Sequence, residues 1–377
     1  MKTLKCLIIA LAISSCGQVM AQNGLVSFVN KIGAALDTMA VSGIDHNYIE
    51  VPERPWQAIM RGNISQTILS LKMEANEMGS YYTARPYFKT VPSQYVGLWV
   101  GYRGYGIGYT VNVGGDKGNL FTIGATGGSY GINLRIHTFE NSDPDFFLDS
   151  DLAPVETKGK WFNVHLRNPI RVKTVFLDGY YMFNGKKFSY AAAYDQSVIQ
   201  KRSAGSLMVG LMYNYTKIDY ANNLNGDLIY LMGGLGKVKL WQGSIGGGYA
   251  YNWVPVKGLL VNVLAMPMLT VVNKLKVSGY TTNVEELLDD PYSQDPTITE
   301  EQWDTWFYDK LRINHYTDKS KNSSLSIGFD GRASVTYNFG RCFLNAYGQF
   351  NNIRYSEDGI SGYVNDWYVN TSFGVRL

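Results

Sequence analysis

A strict two-residue alternation that runs to the last residue constrains this chain more than any other feature. Trp367, Val369, Thr371, Phe373, Val375 and Leu377 interleave with Tyr368, Asn370, Ser372, Gly374 and Arg376. Successive side chains of an extended strand point to opposite faces. The segment therefore has one apolar face and one polar or tiny face over eleven residues. That length, tilted by about 45°, is what a strand needs to cross a bilayer. A helix, with its period of about 3.6, cannot use such a pattern.

The same signal recurs upstream. Leu325, Ile327, Phe329, Ala333, Val335, Tyr337 and Phe339 alternate with Ser326, Gly328, Asp330, Arg332, Ser334, Thr336 and Asn338. A charge facing lipid near mid-bilayer costs about 2–4 kcal/mol, so the face bearing Asp330 and Arg332 must look into a lumen. Further apolar stripes run through Cys342–Phe350, Trp241–Trp253, Leu259–Val271, Leu207–Tyr215 and Tyr105–Val113. On the opposite faces Met208, Met212, Leu264, Met266 and Met268 point inward, which predicts a filled lumen.

The predicted fold is all-β: a transmembrane antiparallel β-barrel of about twelve strands, with fourteen as the alternative. The strands are expected at 57–73, 93–102, 104–113, 119–139, 169–184, 187–195, 204–219, 238–254, 258–277, 324–338, 342–355 and 366–377. Counting back from the C-terminus puts the Pro255–Gly258 and Phe339–Arg341 turns on the periplasmic side, and 220–237 and 279–322 outside. One region fits badly. The same parity makes 140–168 periplasmic and the Asn184-Gly185-Lys186 turn external, and the apolar phase slips at Gly127-Gly128, as a bulge or an extra hairpin would require.

The N-terminus reads as an export signal over residues 1–21. Lys2 and Lys5 precede the apolar run Leu7–Ile13, and a small-residue site offers cleavage between Ala21 and Gln22. Ile13-Ser14-Ser15-Cys16 offers lipoprotein processing at Cys16 as the competing outcome. No stretch reaches the roughly 20 residues of a membrane-spanning helix. Cleavage after Ala21 leaves Cys342 as the single cysteine, which excludes internal disulfides. The framework must then be hydrogen-bonded sheet, and 40 Gly, 28 Tyr and 8 Trp suit a sheet whose rims meet membrane interfaces. A net charge of +3 gives no nucleic-acid footprint.

Residues 22–54 form a periplasmic segment ahead of a barrel domain at 55–377. Leu25, Phe28, Val29, Ile32, Leu36 and Met39 have helical spacing, which predicts a short amphipathic helix over 24–40. The stretch 281–309 is acidic and lacks Lys or Arg, and Thr299-Glu300-Glu301-Gln302 has capping-box spacing. It has no glycine-turn ligand series for calcium, and neither has the cluster Asp143, Asp145, Asp149 and Asp151.

His46, His137, His165 and His315 show no metal-ligand spacing, and no G-x-S-x-G nucleophile turn occurs. Gly104-Tyr105-Gly106-Ile107-Gly108 lacks the helix a dinucleotide fingerprint needs. No catalytic residue, cofactor or metal is expected. His137 shares its face with Asn133 and Arg135, and these three with Asp330 and Arg332 are the candidate lumen polar network.

One block, Tyr181-Met182-Phe183-Asn184-Gly185-Lys186-Lys187-Phe188-Ser189-Tyr190 followed by Gln200-Lys201-Arg202-Ser203-Ala204-Gly205-Ser206, resembles a family of exported Bacteroidetes-type outer-membrane barrels described as a domain of unknown function. Asp45-His46-Asn47-Tyr48-Ile49 is similar to that family's opening. The resemblance implies the same fold and a Gram-negative outer membrane, with outer-membrane lipids and the barrel-assembly machinery as partners, and it confers no activity. The expected role is a non-enzymatic narrow pore, a transport accessory or a structural surface protein with an unidentified surface or periplasmic partner. The alternatives are a rim hydrolase or lipid-modifying enzyme, which needs an acid–base pair at the outer rim, and an adhesin acting through loop 279–322.

Overall fold

A computed structural model describes residues 42–77, 80–84, 87–115, 117–147, 159–166, 169–219, 235–281, 290–310, 312–314, 325–357 and 360–377. The expected signal, cleavage site and 24–40 helix lie outside them, as do Asp149, Asp151 and His315.

Twelve antiparallel strands close into a barrel. They are β1 (Trp56–Glu77), β2 (Ser80–Ala84, Tyr87–Lys89 and Ser93–Tyr102, interrupted), β3 (Tyr105–Gly114), β4 (Lys117–Thr126), β5 (Tyr130–Asn141) and β6 (Ile170–Met182). There follow β7 (Ala204–Asp219), β8 (Leu235–Val256), β9 (Leu259–Thr281), β10 (Arg312–Asn314 and Ser326–Phe339), β11 (Cys342–Glu357) and β12 (Ile360–Arg376). The C-terminal strand closes the cylinder on β1, from Arg376 opposite Gln57 to Ile360 opposite Met73. Closure leaves no free sheet edge, the condition under which strands can span lipid.

The outside is apolar and the inside polar. Leu98, Leu207, Leu211 and Ile327 are 64–71% exposed, while Asn262, Asp330, Thr336, Asn370 and Arg376 are buried. A water-soluble barrel would invert that distribution. Aromatics mark both rims: Trp56, Tyr102, Tyr251, Trp253, Tyr337 and Phe339 at the end holding the termini, Tyr215, Trp241, Phe350 and Trp367 at the other. Trp241 and Trp253 are twelve residues apart on β8, about 40 Å of strand and about 30 Å of height at a tilt of about 40°, which matches a hydrocarbon core. Among the described residues no helix is long and apolar enough to cross a membrane.

Two strand assignments need correction, and they offset each other in the count. The span 119–139 is two strands, β4 and β5. Gly127-Gly128-Ser129 turns between them, closed by the Gly127 N–H on the Tyr130 carbonyl (2.9 Å). The phase slip was the extra hairpin. A Cβ on Gly128 would stand 3.0 Å from the Ser42 carbonyl oxygen, so the turn stays glycine where the N-terminal segment crosses it. The span 187–195 is not a strand. Ser189 caps a short helix, α1 (Tyr190–Tyr194), by accepting the Ala192 N–H (3.1 Å). Apolar residues sit on every face of it because protein surrounds it on every side.

These corrections reverse one parity. The stretch 142–169 belongs to the end with the long connections 220–234 and 282–311, and the Asn184 turn belongs to the end with Trp56 and the C-terminus. Every connection at the terminal end is then a tight turn (103–104, 127–129, 257–258 and 340–341) except 183–203. At the far end, Thr299 and Gln302 form the expected capping box: the Thr299 N–H donates to Gln302 Oε1 (2.9 Å) and the Gln302 N–H to Thr299 Oγ1 (3.3 Å), opening α2 (Glu300–Lys310).

Candidate functional site: the plugged lumen

The segment 183–203 folds back into the barrel from the terminal end as a plug. Asn184 fixes its root, donating from its N–H to Ser206 Oγ (2.9 Å) and from Nδ2 to the Gly205 carbonyl (2.8 Å). Apart from Ile199 and Gln200 its backbone lacks sheet partners, so lumen side chains satisfy several of its carbonyls, as buried carbonyls require. Asn252 Nδ2 donates to the Ser189 carbonyl (2.9 Å), Asn345 Nδ2 to Ala193 (3.1 Å), and Arg376 Nη2 to Gln196 (2.9 Å). Tyr194 donates from its hydroxyl to Asn262 Oδ1 (2.6 Å). Side chains from β8, β9, β11 and β12 thus grip one loop.

The N-terminal segment seals the plug from below. Ile49 and Glu50 pair antiparallel with Gln200 and Ile199. Ile49 is buried with Ala191, Ala192, Ala193, Val198 and Leu260. Gln200 braces the plug: Nε2 donates to the Lys187 carbonyl (2.6 Å), and Oε1 accepts from the Ser189 N–H (3.0 Å) and Asn252 Nδ2 (2.9 Å), while the Lys201 N–H donates to the Tyr48 carbonyl (2.7 Å) of the N-terminal segment.

Over the plug lies an ionic layer centred on Arg332, itself almost wholly buried. Its guanidinium meets two carboxylates, Asp330 (Nε to Oδ1, 3.2 Å) and Asp178 (Nη2 to Oδ2, 3.4 Å). It donates to the hydroxyl oxygens of Tyr180 and of the plug's Tyr190, the latter at 2.7 Å. Tyr180 donates to Asp330 Oδ2 (2.8 Å), and Asn133 Nδ2 to Asp178 Oδ2 (2.8 Å) and to the Tyr190 oxygen (3.2 Å). Met208, Leu264, Met266 and Met268 are buried beside this layer with Tyr180 and Tyr190. The inward methionines therefore pack against the plug.

Of the candidate network, Asn133, Asp330 and Arg332 meet in this layer. Arg135 and His137 point inward from the same strand but nearer the far end, where they line a cavity of about 70 Å³ with Phe176, Asn214, Asp366 and Tyr368, and Arg135 also borders a second cavity with Asn133, Asp178, Tyr190 and Arg332. His137 Nε2 lies 2.8 Å from the Tyr95 hydroxyl, and the Arg135 guanidinium lies over the rings of Phe176 (4.6 Å) and Tyr368 (5.5 Å). A cavity of that volume has room for a few waters and is too small for a drug-sized ligand. Sequence reasoning missed Asp178, Tyr180 and Tyr190. Asp178 was findable, because the penalty that turns Asp330 inward applies equally to a carboxylate between Leu177 and Gly179.

Elsewhere the titratable residues do less. No group of His, Cys, Asp and Glu among the described residues is arranged to hold a metal. Asp290 bonds Lys310 (2.8 Å), which with the Tyr292 N–H holds its carboxyl below the usual range. Asp295 accepts from the Thr297 N–H (2.9 Å) and hydroxyl (2.7 Å). Both are turn caps. An acid–base pair does stand at the open end: His165 Nδ1 lies 2.5 Å from Asp143 Oδ1, on exposed loop. Neither residue lines a cavity described above.

Asp195 is a buried carboxyl of the plug, and its burial predicts a pH-dependent stability. Burial raises its carboxyl from 3.8 to about 6, against the opposing pull of Arg61. Thr126 Oγ1 donates to its Oδ2 (3.2 Å), and Ser197 also hydrogen-bonds the carboxyl. A carboxyl raised in the folded state favours the folded state only while protonated. Stability is therefore full below the unfolded value near 4 and falls as pH rises to about 6, by roughly 3 kcal/mol. Denaturant midpoints of the barrel should decline between pH 4 and 6 and level off above. Asp195→Asn should flatten that segment of the profile; an unchanged slope in the variant would exclude Asp195 as its source.

Residues 43–376 match the family described as Domain of unknown function (DUF4421). No curated protein matches the chain. Among solved structures, the chain is similar to the translocator domain of the autotransporter NalP from Neisseria meningitidis, at 8% identity, covering 94% of this chain and 98% of that one, with a TM-score of 0.33. It is similar to the outer membrane protease OmpT of Escherichia coli at 7% identity, 86% and 97% coverage, and a TM-score of 0.34. An outer membrane channel from Pseudomonas putida F1 gives 8% identity, 88% and 98% coverage, and 0.28.

Proposed function

We propose that this chain, which belongs to the family Domain of unknown function (DUF4421), is a non-enzymatic outer-membrane barrel that stands closed at rest. In this reading it is exported by residues 1–21 into a Bacteroidetes-type Gram-negative envelope and inserted by the barrel-assembly machinery. The long connections face outward, and the plug and residues 42–55 face the periplasm. The apolar exterior between two aromatic rims supports the location.

The observation that carries the role is the grip on the plug. A twelve-stranded cylinder is wide enough for a passage, yet here its terminal half is occupied by a segment whose carbonyls are held by Asn252, Asn345 and Arg376. A structural barrel would need only packed side chains to fill its interior. A separate loop, held by polar contacts and latched by an N-terminal strand, is the construction of a pore that can be shut. In planar bilayers the full-length protein should therefore show little or no conductance. Large, stable, porin-like steps at rest would overturn the proposal.

A rim hydrolase is the second reading, carried only by the His165–Asp143 pair. It requires purified protein to hydrolyse ester or peptide substrates in a way that His165→Ala abolishes, and equal turnover by the variant would remove it.

A further inference from the structure

The outward face of the barrel carries a basic band at the open end, immediately beyond the aromatic rim. Cross-strand register sets four lysines side by side: Lys173 opposite Lys217, Lys217 opposite Lys239, and Lys239 opposite Lys276. One step nearer the membrane centre, the same register aligns Val175, Tyr215, Trp241 and Lys274. Lys274 lies 5.9 Å from the Trp241 ring. One step farther out stand Arg171, Asp219 and Lys237, with Lys117 and Glu140 completing the row across β4 and β5.

Among the described residues only two carboxylates serve this band. Glu140 takes Arg171 (2.7 Å), and Asp219 is shared by Lys217 (3.3 Å) and Lys237 (3.4 Å). Lys173, Lys239 and Lys276 have no carboxylate within ion-pair reach among the described residues. Directly opposed residues of neighbouring strands stand about 5 Å apart at Cβ, and like charges there destabilise a sheet. Among the described residues Lys173, Lys239 and Lys276 thus stand beside Lys217 without countercharge of their own, an arrangement suited to an anionic ligand. Beside it lies a groove of about 500 Å³ lined by Lys117, Glu140, Arg171, Lys173, Lys217 and Asp219.

We infer that this face binds the phosphate groups of an anionic glycolipid in the outer leaflet. The inference rests on the orientation given under the proposed function. Side chains just beyond an aromatic rim lie at headgroup depth, where cationic clusters attract anionic lipid. A free phosphate would not need the rim below it, whereas a lipid places its phosphates above Tyr215 and Trp241 and its acyl chains against Val175, Leu211 and Ile245.

The test uses the full-length protein in detergent micelles, titrated with diphosphoryl lipid A, with its dephosphorylated counterpart, and with inorganic phosphate, reading bound lipid by native mass spectrometry. Wild type should half-saturate with the phosphorylated lipid at roughly tenfold or more lower concentration than with the dephosphorylated one. The triple variant Lys173→Gln, Lys239→Gln, Lys276→Gln should lose that preference while keeping the heat-modifiable gel migration of a folded barrel. Lys257→Gln, in the exposed tight turn at the opposite end of the barrel, should keep it. Equal binding of both lipids by wild type, an undiminished preference in a folded triple variant, or displacement of the lipid by millimolar inorganic phosphate would each overturn the inference. Failure of the folded protein to insert into lipid bilayers would instead sink the membrane location, a separate readout from the micelle titration.

Discussion

Replacing residues 185–203 with a Gly-Gly-Ser turn converts a silent bilayer into one with stepwise currents, roughly tenfold or more above the full-length baseline. The replacement is structurally permitted because the hairpin beneath it already closes: Met182 stands opposite Met208, and the Phe183 N–H donates to the Leu207 carbonyl (3.1 Å). No barrel strand is cut. What leaves is α1, its four anchors on the wall, and the partner of Ile49 and Glu50, so the N-terminal segment loses its seat as well. The side chains left facing the lumen are mostly polar, among them Asn252, Asn262, Asn345, Ser334 and Arg376, and water can satisfy all of them once the loop is gone. The methionines beside the ionic layer narrow the passage, so the currents should stay below those of an open porin of larger strand number. A folded plugless barrel that remains silent would show that the lumen is closed by its wall, and the plug would lose its role as the closure.

The barrel was legible in the sequence to the extent that the membrane enforces it. Lipid penalises every outward polar group, so β9 to β12 keep their alternation, and the energetic placement of Asp330 and Arg332 on the inner face agrees with their burial. The plug was not legible for the complementary reason. Inside the cylinder a segment meets protein on all sides, so Phe188, Tyr190, Ala192 and Tyr194 are apolar at every second position without being a strand. The local clue was Ser189 ahead of an alanine run, a helix start. The interrupted β2 and the glycine turn at 127–129 blurred period two where a one-residue slip exchanges the faces. The basic ladder followed the same period beyond the apolar stretch, as Arg171-x-Lys173, Lys237-x-Lys239 and Lys274-x-Lys276, but only strand register sets Lys173, Lys239 and Lys276 in one row with Lys217.

Arg332→Met should cost the folded barrel about 3–5 kcal/mol, the usual penalty for removing one partner of a buried ionic cluster. Methionine replaces the aliphatic stem in a lumen already lined with methionine but leaves a small cavity where the guanidinium stood, so packing adds to the loss. The larger part is electrostatic. Asp330 and Asp178 would face each other without the guanidinium that both now meet at 3.2–3.4 Å, and the Tyr180 and Tyr190 oxygens would lose their strongest donor. A charge left without a partner in a dry interior costs more than the complete pair contributes. The triple variant Arg332→Met, Asp330→Asn, Asp178→Asn should accordingly recover most of the stability, because no net charge stays buried. Urea midpoints in detergent, followed by heat-modifiable migration, separate the two outcomes. The same pair of variants tests the tie between layer and plug. Tyr190 takes its hydrogen bond from Arg332 in wild type and would lack it in both, so intermittent conductance in the stable triple variant would mean that the ionic layer holds the plug down, and silence there would leave the grip to Asn252, Asn345 and Arg376 alone. Full stability of the single variant would refute the electrostatic account of the lumen, since two buried carboxylates would then persist at no cost.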